Sequence, residues 1–174
     1  MILKTFGLKN LCLWLLAATL LGGCGYHAVT PRGPLAGGKS VNVTLFSNKS
    51  YRSGLEGTLA RAMVDEFALR SGGNVQPRDR ADLELVGTIL AYATVPVSYT
   101  AQDTIKEYQV VMKVQATLRE QQTLKVLWKG EVSGSQTFPV NDNLALQQNA
   151  EEAAAAKICR RLSEDLWVKI GEAY

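Results

Sequence analysis

The sequence has little of the material from which catalytic and metal sites are built. It contains one histidine, His27, and three cysteines in 174 residues. One histidine cannot form a metal site of several imidazoles or a Ser–His–Asp arrangement. The serine that lies near two glycines, in segment 130–134, lacks the G-x-S-x-G spacing of a hydrolase nucleophile. We therefore predict no catalytic residue, no metal and no cofactor, and a protein that is not an enzyme.

The chain also lacks a strong charge of either sign. It has 19 Lys and Arg residues and 16 Asp and Glu residues, and removing Lys4 and Lys9 with a predicted targeting segment leaves 17 against 16. This balance gives no electrostatic case for nucleic acid binding and no broad polybasic surface for an anionic membrane. We interpret three acidic pairs as solvated groups in loops or on helix surfaces: Asp79 with Asp82, Glu151 with Glu152, and Glu164 with Asp165.

The N-terminal segment has the pattern of a bacterial lipoprotein signal. After Lys4 and Lys9, an apolar run from Leu11 to Leu21 is too short to span a bilayer as a helix. Two glycines and Cys24 follow, so that small residues fit the peptidase cleft and a thiol is present to accept lipid. We predict a signal peptide at residues 1–23 and a mature N-terminus at Cys24 that carries N-palmitoyl and S-diacylglycerol groups. An ordinary secretory signal ending near a cysteine is the alternative.

This lipid would be the membrane attachment, because two or more acyl chains hold a protein stably at a membrane. An Asp after the lipidated cysteine commonly retains lipoproteins in the inner membrane of enteric-type bacteria. Gly25 takes that position here, so we expect sorting to the periplasmic side of the outer membrane. Residues 24–38 are rich in Gly and Pro and predict a flexible tether, of which fourteen residues reach at most about 45 Å. Residues 39–174 would form a single domain.

The cysteines predict no internal disulfide. Cys12 leaves with the signal peptide and Cys24 is acylated, so that Cys159 alone remains. Cys159 falls within a helical pattern, and we expect it to be a small, buried, apolar group.

Periodicity of the apolar residues predicts four strands and two helices. The predicted strands are residues 40–46, 83–95, 108–119 and 124–136. Ser53 and Glu56 indicate a capping box at the start of the first helix, which ends at Gly72. Pro96 is expected to stop the second strand before a loop at 97–106. Asn143 is expected to cap a long final helix.

The order βαβββα predicts an α+β fold. We expect a two-layer sandwich with a mainly antiparallel four-stranded sheet and both helices on one face. The inner side of the last strand would hold Val126, Trp128 and Val132. The opposite face of the sheet would be polar, with side chains from three strands: Glu84, Thr88, Lys113, Gln115, Thr117, Arg119, Lys129 and Glu131.

Several short segments, in order, resemble the lipopolysaccharide-assembly lipoprotein LptE family. They are Cys24-Gly25-Tyr26, residues 43–50 entering the first helix, Gly54-Leu55-Glu56 with 63–67, Ala81 to Leu85, Glu107-Tyr108 and Val126-Leu127-Trp128. The resemblance implies a small sandwich inside the lumen of an LptD-type outer-membrane β-barrel. There the protein would plug the barrel, assist its assembly and help to deliver lipopolysaccharide to the outer leaflet.

The resemblance also implies that basic residues on loops and on the sheet contact lipopolysaccharide. The family's residues do not match this chain position by position, and we take Lys106 and Arg119 as the candidates. A phosphorylated glycolipid would need such groups, although ordinary solubilising charge is the favoured interpretation of any single one.

Two other functions remain open from the sequence. The chain could be a lipoprotein accessory of another envelope lipid-transport system, which a similar fold would serve. It could also be a lipid-tethered periplasmic enzyme, which the missing site chemistry disfavours.

Overall fold

The computed structural model of the protein describes residue 35 and residues 38–72 and 74–172. The predicted signal peptide, Cys24, His27 and nearly all of the predicted tether lie outside these residues. The elements in chain order are β1 (Val41–Val43), β2 (Ser47–Asn48), α1 (Leu55–Arg70), β3 (Leu83–Tyr99), β4 (Ile105–Glu120), β5 (Val126–Pro139) and α2 (Leu144–Glu172), with a 3₁₀ turn at Arg78–Arg80 before β3. The predicted α+β class and the order βαβββα are confirmed. The first predicted strand, 40–46, is shortened to β1, and the short strand β2 follows it.

The sheet is mixed. Its order is β1-β3-β4-β5, and β2 pairs with β3 beyond the end of β1. The meander β3–β4–β5 is antiparallel, as predicted. However, β1 and β2 run parallel to β3, so the sheet is less uniformly antiparallel than expected. The reason is the connection, because a helix between two neighbouring strands returns the chain in the same direction.

The β3–β4 hairpin is longer than the sequence predicted. Pro96 does not end β3, which continues to Tyr99, and the predicted loop at 97–106 is reduced to 100–104. The parallel strands pair with β3 only as far as Ile89, so Pro96 lies where one side of β3 has no neighbouring strand. A proline is tolerated there because no ladder hydrogen bond is lost.

The two helices begin in different ways. The capping box predicted for α1 is absent, since Gly54 precedes the helix with φ of 84° and no side chain caps it. Glu56 instead accepts a hydrogen bond from Asn48 Nδ2 at 2.9 Å. The cap predicted for α2 is confirmed, because Asn143 Oδ1 accepts hydrogen bonds from the backbone N–H groups of Ala145 and Leu146 at 3.0 and 3.3 Å.

One hydrophobic core lies between the inner face of the sheet and the two helices. Each helix contributes one apolar stripe, and Phe67 of α1 meets Trp167 of α2 edge-on with ring centroids 5.0 Å apart. Cys159 is fully buried in this layer, as predicted, and burial raises the pKa of its thiol to about 12. The stripes and the inner side of β4 consist of buried side chains: Leu55, Leu59, Met63, Phe67, Val110, Met112, Val114, Ala116, Leu118, Ala154, Ile158, Leu162, Leu166 and Ile170.

Gly87 is required where Phe46 crosses the inner face of the sheet. A Cβ at Gly87 would lie 2.3 Å from the Phe46 ring and 2.6 Å from the carbonyl oxygen of Gln115. Such a contact is far inside van der Waals distance, so the ring occupies the space that any side chain at this position would need.

The first residue of β5 corrects a prediction. Val132 is buried and Trp128 packs partly buried against the core, but Val126 is 55% exposed. The register shifts between Leu118 and Arg119, so that Leu127 is an extra residue and Val126 lies opposite Arg119. This β-bulge turns Val126 to the outer face of the sheet.

The free edge of β5 is partly covered by cations from α2. Arg161 Nη1 donates to the carbonyl oxygen of Ser135 at 3.4 Å, and Lys169 Nζ donates to that of Glu131 at 3.1 Å. The two cations are eight residues apart on α2, and the two carbonyl groups are four residues apart on β5. Both separations are about 12 to 13 Å, so each cation lies beside its own carbonyl group. Side-chain cover of this kind limits edge-to-edge pairing between molecules. None of the helices in the described ranges is long and apolar enough to cross a membrane.

The inner and outer faces of β4 can be tested with neighbouring substitutions. Met112→Asp should destabilise the protein by about 4 kcal/mol or more, because it buries an unpaired charge. Lys113→Asp, on the outer face, should cost no more than about 1 kcal/mol. Urea unfolding followed by tryptophan fluorescence measures both. Equal losses would contradict the assignment of the two faces.

The cover of the β5 edge predicts a change in association. The double variant Arg161→Ala/Lys169→Ala should self-associate at rising concentration, because edge carbonyl groups become available to a second strand. Sedimentation velocity over a hundredfold concentration range is the measurement. The matched control is Lys157→Ala/Arg160→Ala, which removes two cations of α2 that make no bond to β5. If the two variants remain equally monomeric, the cations do not protect the edge.

Candidate binding surface

The outer sheet face is the polar surface opposite the helices, and we define it by the eight residues predicted for it: Glu84, Thr88, Lys113, Gln115, Thr117, Arg119, Lys129 and Glu131. Cross-strand partners share a face of a sheet. The register pairs Glu84 with Arg119 and Gln115 with Glu131. It also pairs Thr88 with Gln115 and Thr117 with Lys129, so these side chains do lie together. The predicted polar face therefore exists as one surface across β3, β4 and β5.

A buried carboxylate lies within this face. Glu84 is only 1% exposed. Arg119 contacts its Oε2 through Nε at 2.8 Å and Nη2 at 2.7 Å, and Arg78 Nε lies 3.4 Å from Oε1. Because burying an unpaired carboxylate is very unfavourable, the two guanidinium groups are what allow Glu84 to occupy this position. The cluster has one negative and two positive charges.

A second ion pair on the face is exposed to solvent. Lys113 Nζ lies 2.6 Å from Glu131 Oε2, and Gln115 Nε2 donates to Glu131 Oε1 at 3.4 Å. The bond from Lys113 is the main reason that the pKa of Glu131 is lowered. A pair so exposed contributes little to stability, so these groups are free to exchange partners with a docking molecule.

The two candidates for lipopolysaccharide contact lie at opposite ends of β4. Lys106 and Arg119 are thirteen residues apart on this strand, which is about 43 Å at strand geometry. The guanidinium of Arg119 is engaged by Glu84. Lys106 is exposed, and no ion pair or side-chain hydrogen bond joins its ammonium group to the described part of the chain. The structure does not bring the two residues into one site.

The point where the predicted tether enters the body is held by Ser40 and Asp82. The Ser40 backbone N–H and Oγ both lie within 2.8 Å of Asp82 Oδ2, and the Asp82 N–H donates to Ser40 Oγ at 3.0 Å. These bonds, the backbone one foremost, lower the pKa of the Asp82 carboxyl. Asp82 is exposed to solvent, as predicted, but the prediction missed that its carboxylate fastens the chain at the start of β1.

Glu151 also differs from its predicted role. It was expected to be solvated, yet it accepts a hydrogen bond from the Tyr92 hydroxyl at 2.9 Å and lies 3.6 Å from Arg52. Burial and then the bond to Glu151 raise the pKa of Tyr92. Tyr51 packs edge-on against Tyr92 at 5.8 Å. This cluster joins the segment before α1 to β3 and to the first turns of α2.

The chain is similar to solved structures of low sequence identity, and those with a TM-score of 0.50 or more share its fold. One is a Caulobacter crescentus CB15 protein assigned as a lipoprotein, with a TM-score of 0.56, 15% identity, and coverage of 73% of this chain and 88% of that one. Another is protein XCC0632 from Xanthomonas campestris, with a TM-score of 0.50, 13% identity, and coverage of 74% and 81%. The rare lipoprotein B from Shewanella oneidensis has a TM-score of 0.48 and 14% identity, with coverage of 73% and 93%. No curated protein sequence matches the chain.

The class that the fold defines is a small α+β sandwich whose polar sheet face is uncovered. Within that class, the profile of the LptE lipopolysaccharide-assembly family matches residues 38–170. The chain therefore belongs to the LptE family, and its role lies in the assembly of lipopolysaccharide. The resemblance seen in the sequence is confirmed.

The Glu84 cluster predicts a large effect of removing one arginine. Arg119→Ala should destabilise the protein by about 2 to 4 kcal/mol, since it leaves a buried carboxylate with only the longer contact to Arg78. Lys113→Ala, which breaks the exposed pair with Glu131, should cost less than about 1 kcal/mol. Thermal and urea unfolding of the two variants give the comparison.

A double variant tests why Arg119→Ala destabilises the protein. Adding Glu84→Gln to Arg119→Ala should recover part of the lost stability, because an amide leaves no unpaired charge. If Arg119→Ala costs no more than Lys113→Ala, or if Glu84→Gln deepens the loss, the buried carboxylate is not what Arg119 stabilises.

Proposed function

We propose that this protein is an outer-membrane lipoprotein that occupies the lumen of an LptD-type β-barrel. In this role it assists assembly of the barrel and takes part in delivering lipopolysaccharide to the outer leaflet, without acting as an enzyme. The observation that carries the proposal is the match to the LptE family over residues 38–170. Acylation of Cys24 after removal of residues 1–23, with a tether at 24–38 and one domain at 39–174, belongs to the same proposal.

The size of the body supports a role as a plug. About 140 ordered residues give a radius of gyration near 14 Å. Outer-membrane barrels of about 22 strands have a lumen that a folded domain can fill. A body of this size is therefore compatible with the lumen of such a barrel.

The outer sheet face supports the same role through its chemistry. The interior of an outer-membrane barrel is polar. The outer sheet face offers both signs of charge in pairs, and the exposed Lys113–Glu131 pair can exchange its partners with little loss of energy. We propose that this face lies against the barrel wall.

Lys106 and Arg119 stay candidates for contact with lipopolysaccharide. Of these two, only Lys106 makes no ion pair or side-chain hydrogen bond with the described part of the chain.

Purification of the acylated protein with its partners tests the proposal. A tagged chain should bring down a large heat-modifiable barrel protein, and depletion of the chain should reduce both that barrel and surface lipopolysaccharide. In a separate test of the lipid anchor, Cys24→Ala should move the chain from the membrane to the soluble periplasmic fraction. Capture of inner-membrane transport components in place of a barrel would instead support an accessory of another lipid-transport system. Unchanged barrel and surface lipopolysaccharide on depletion would refute the proposal.

A matched pair of substitutions tests the docking face. Gln115→Trp adds bulk to the centre of the outer sheet face, while Gln148→Trp adds the same bulk to an exposed position of α2. Gln115→Trp should reduce the barrel recovered with the tagged chain severalfold, and Gln148→Trp should leave it nearly unchanged. The reverse order would mean that the helix layer, and not the sheet, contacts the barrel wall.

A further inference from the structure

A basic groove runs between the two helices, on the side of the molecule away from the outer sheet face. It is a concavity of about 270 Å³, and its walls are Thr58, Arg61, Ala62, Asp65, Ala156 and Arg160. A second concavity, of about 410 Å³, adjoins it at Arg160 but lies between α2 and β5, and is lined by Gln136, Lys157, Arg160, Arg161 and Glu164. We call the two together the helix groove. Four cations and two acids surround it, although the whole chain is nearly neutral.

Three of the four cations are unpaired. Within residues 38–72 and 74–172, Arg61, Lys157 and Arg160 make no ion pair or side-chain hydrogen bond, whereas Arg161 donates to a β5 carbonyl. Each unpaired arginine has an acid four residues later on its own helix. This order, cation first, is the weaker one for an i,i+4 pair. The guanidinium groups therefore remain available to another anion.

The geometry favours a phosphate group over a carboxylate of the chain itself. Arg61 belongs to α1 and Arg160 to α2, so two guanidinium groups line the same concavity from different helices. Each can bind a phosphate with two parallel N–H donors, which is the geometry that guanidinium groups favour. Ala62 and Ala156 are half-buried and small, and they leave room beneath the charged groups.

We propose that the helix groove binds a phosphate group of the glycolipid that the family assembles. This inference rests on the proposed function and adds to it a ligand site on the helix layer, separate from Lys106 and Arg119. Arg61 and Arg160 hold the phosphate, and Lys157 adds positive charge beside them. The lipid is the committed ligand, because the family assembles lipopolysaccharide and free phosphate is too small to contact both concavities.

Titration of the acylated full-length protein in detergent with purified bis-phosphorylated lipid A tests the site. Arg61→Gln/Arg160→Gln should weaken binding about tenfold or more, because two charge-assisted bonds are lost. The matched control is Lys49→Gln/Arg70→Gln, which removes the same charge outside the groove and should change affinity by less than about twofold. Dephosphorylated lipid A should bind wild type and both variants alike.

Each result decides the proposal. Equal affinities of the groove variant and the wild type, or equal losses in the groove and control variants, would overturn it. Displacement of lipid A by inorganic phosphate at the same concentration would reveal a small-anion site and overturn the assignment to lipid. Recovery of the barrel with the groove variant separates this inference from the proposed function. If the groove variant binds lipid A as the wild type does and still recovers the barrel, this inference fails and the proposed function stands.

Discussion

The pairing of β3 with β4 is the interaction on which the rest of the structure depends. Its register runs from Leu83 opposite Glu120 to Tyr99 opposite Ile105. Because side chains alternate along a strand, this register sends one set of residues to the helices and the other to the outer face. A slip by one residue would exchange the two sets and place charges in the core. The core and the polar face are therefore two consequences of a single register.

Where the sequence pattern is regular, it predicted the fold well. The alternation along β4 and the i+4 stripes of the helices identified nearly the whole inner layer, since each rests on local periodicity. Alternation does not predict where a bulge changes the phase of a strand. In β3 the extra residue is Leu90, and the inward positions continue from Ile89 to Tyr92. At the start of β5 Leu127 has the same effect and exposes Val126.

Other failures depend on contacts distant in sequence. Neither the parallel direction of β1 nor the continuation of β3 through Pro96 follows from local composition, because both depend on which strand lies alongside. The burial of Glu84 is a similar case. Its position on the polar face was predicted, but its burial requires Arg119 from β4 and Arg78 from the preceding turn. Pairing across 35 residues leaves no signal in periodicity.

The distribution of charge separates the two surfaces. On the outer sheet face the main acids are already paired, Glu84 with two arginines and Glu131 with Lys113. Such a face is suited to a large polar partner, with which pairs can be exchanged, and less suited to capture of one strong anion. The helix groove has the opposite character, because Arg61 and Arg160 precede their acids on the helix, which is the weaker order, and make no ion pair within the described residues. Contact with a barrel wall favours paired charges of both signs, whereas phosphate binding favours unpaired cations. The two functions are therefore better served by two different surfaces.

The start of β1 marks one end of the sheet. Ser40 and Asp82 fasten the chain at the end of the sheet where β3 begins and β4 ends, while the loop at 100–104 lies at the other end of the hairpin. Sixteen residues of β4 span about 53 Å. The start of β1 and the hairpin tip thus lie at opposite ends of the sheet. The outer sheet face belongs to the sheet layer, and the helix groove belongs to the helix layer. A partner on the sheet and a lipid phosphate on the helix layer would therefore not compete for one surface.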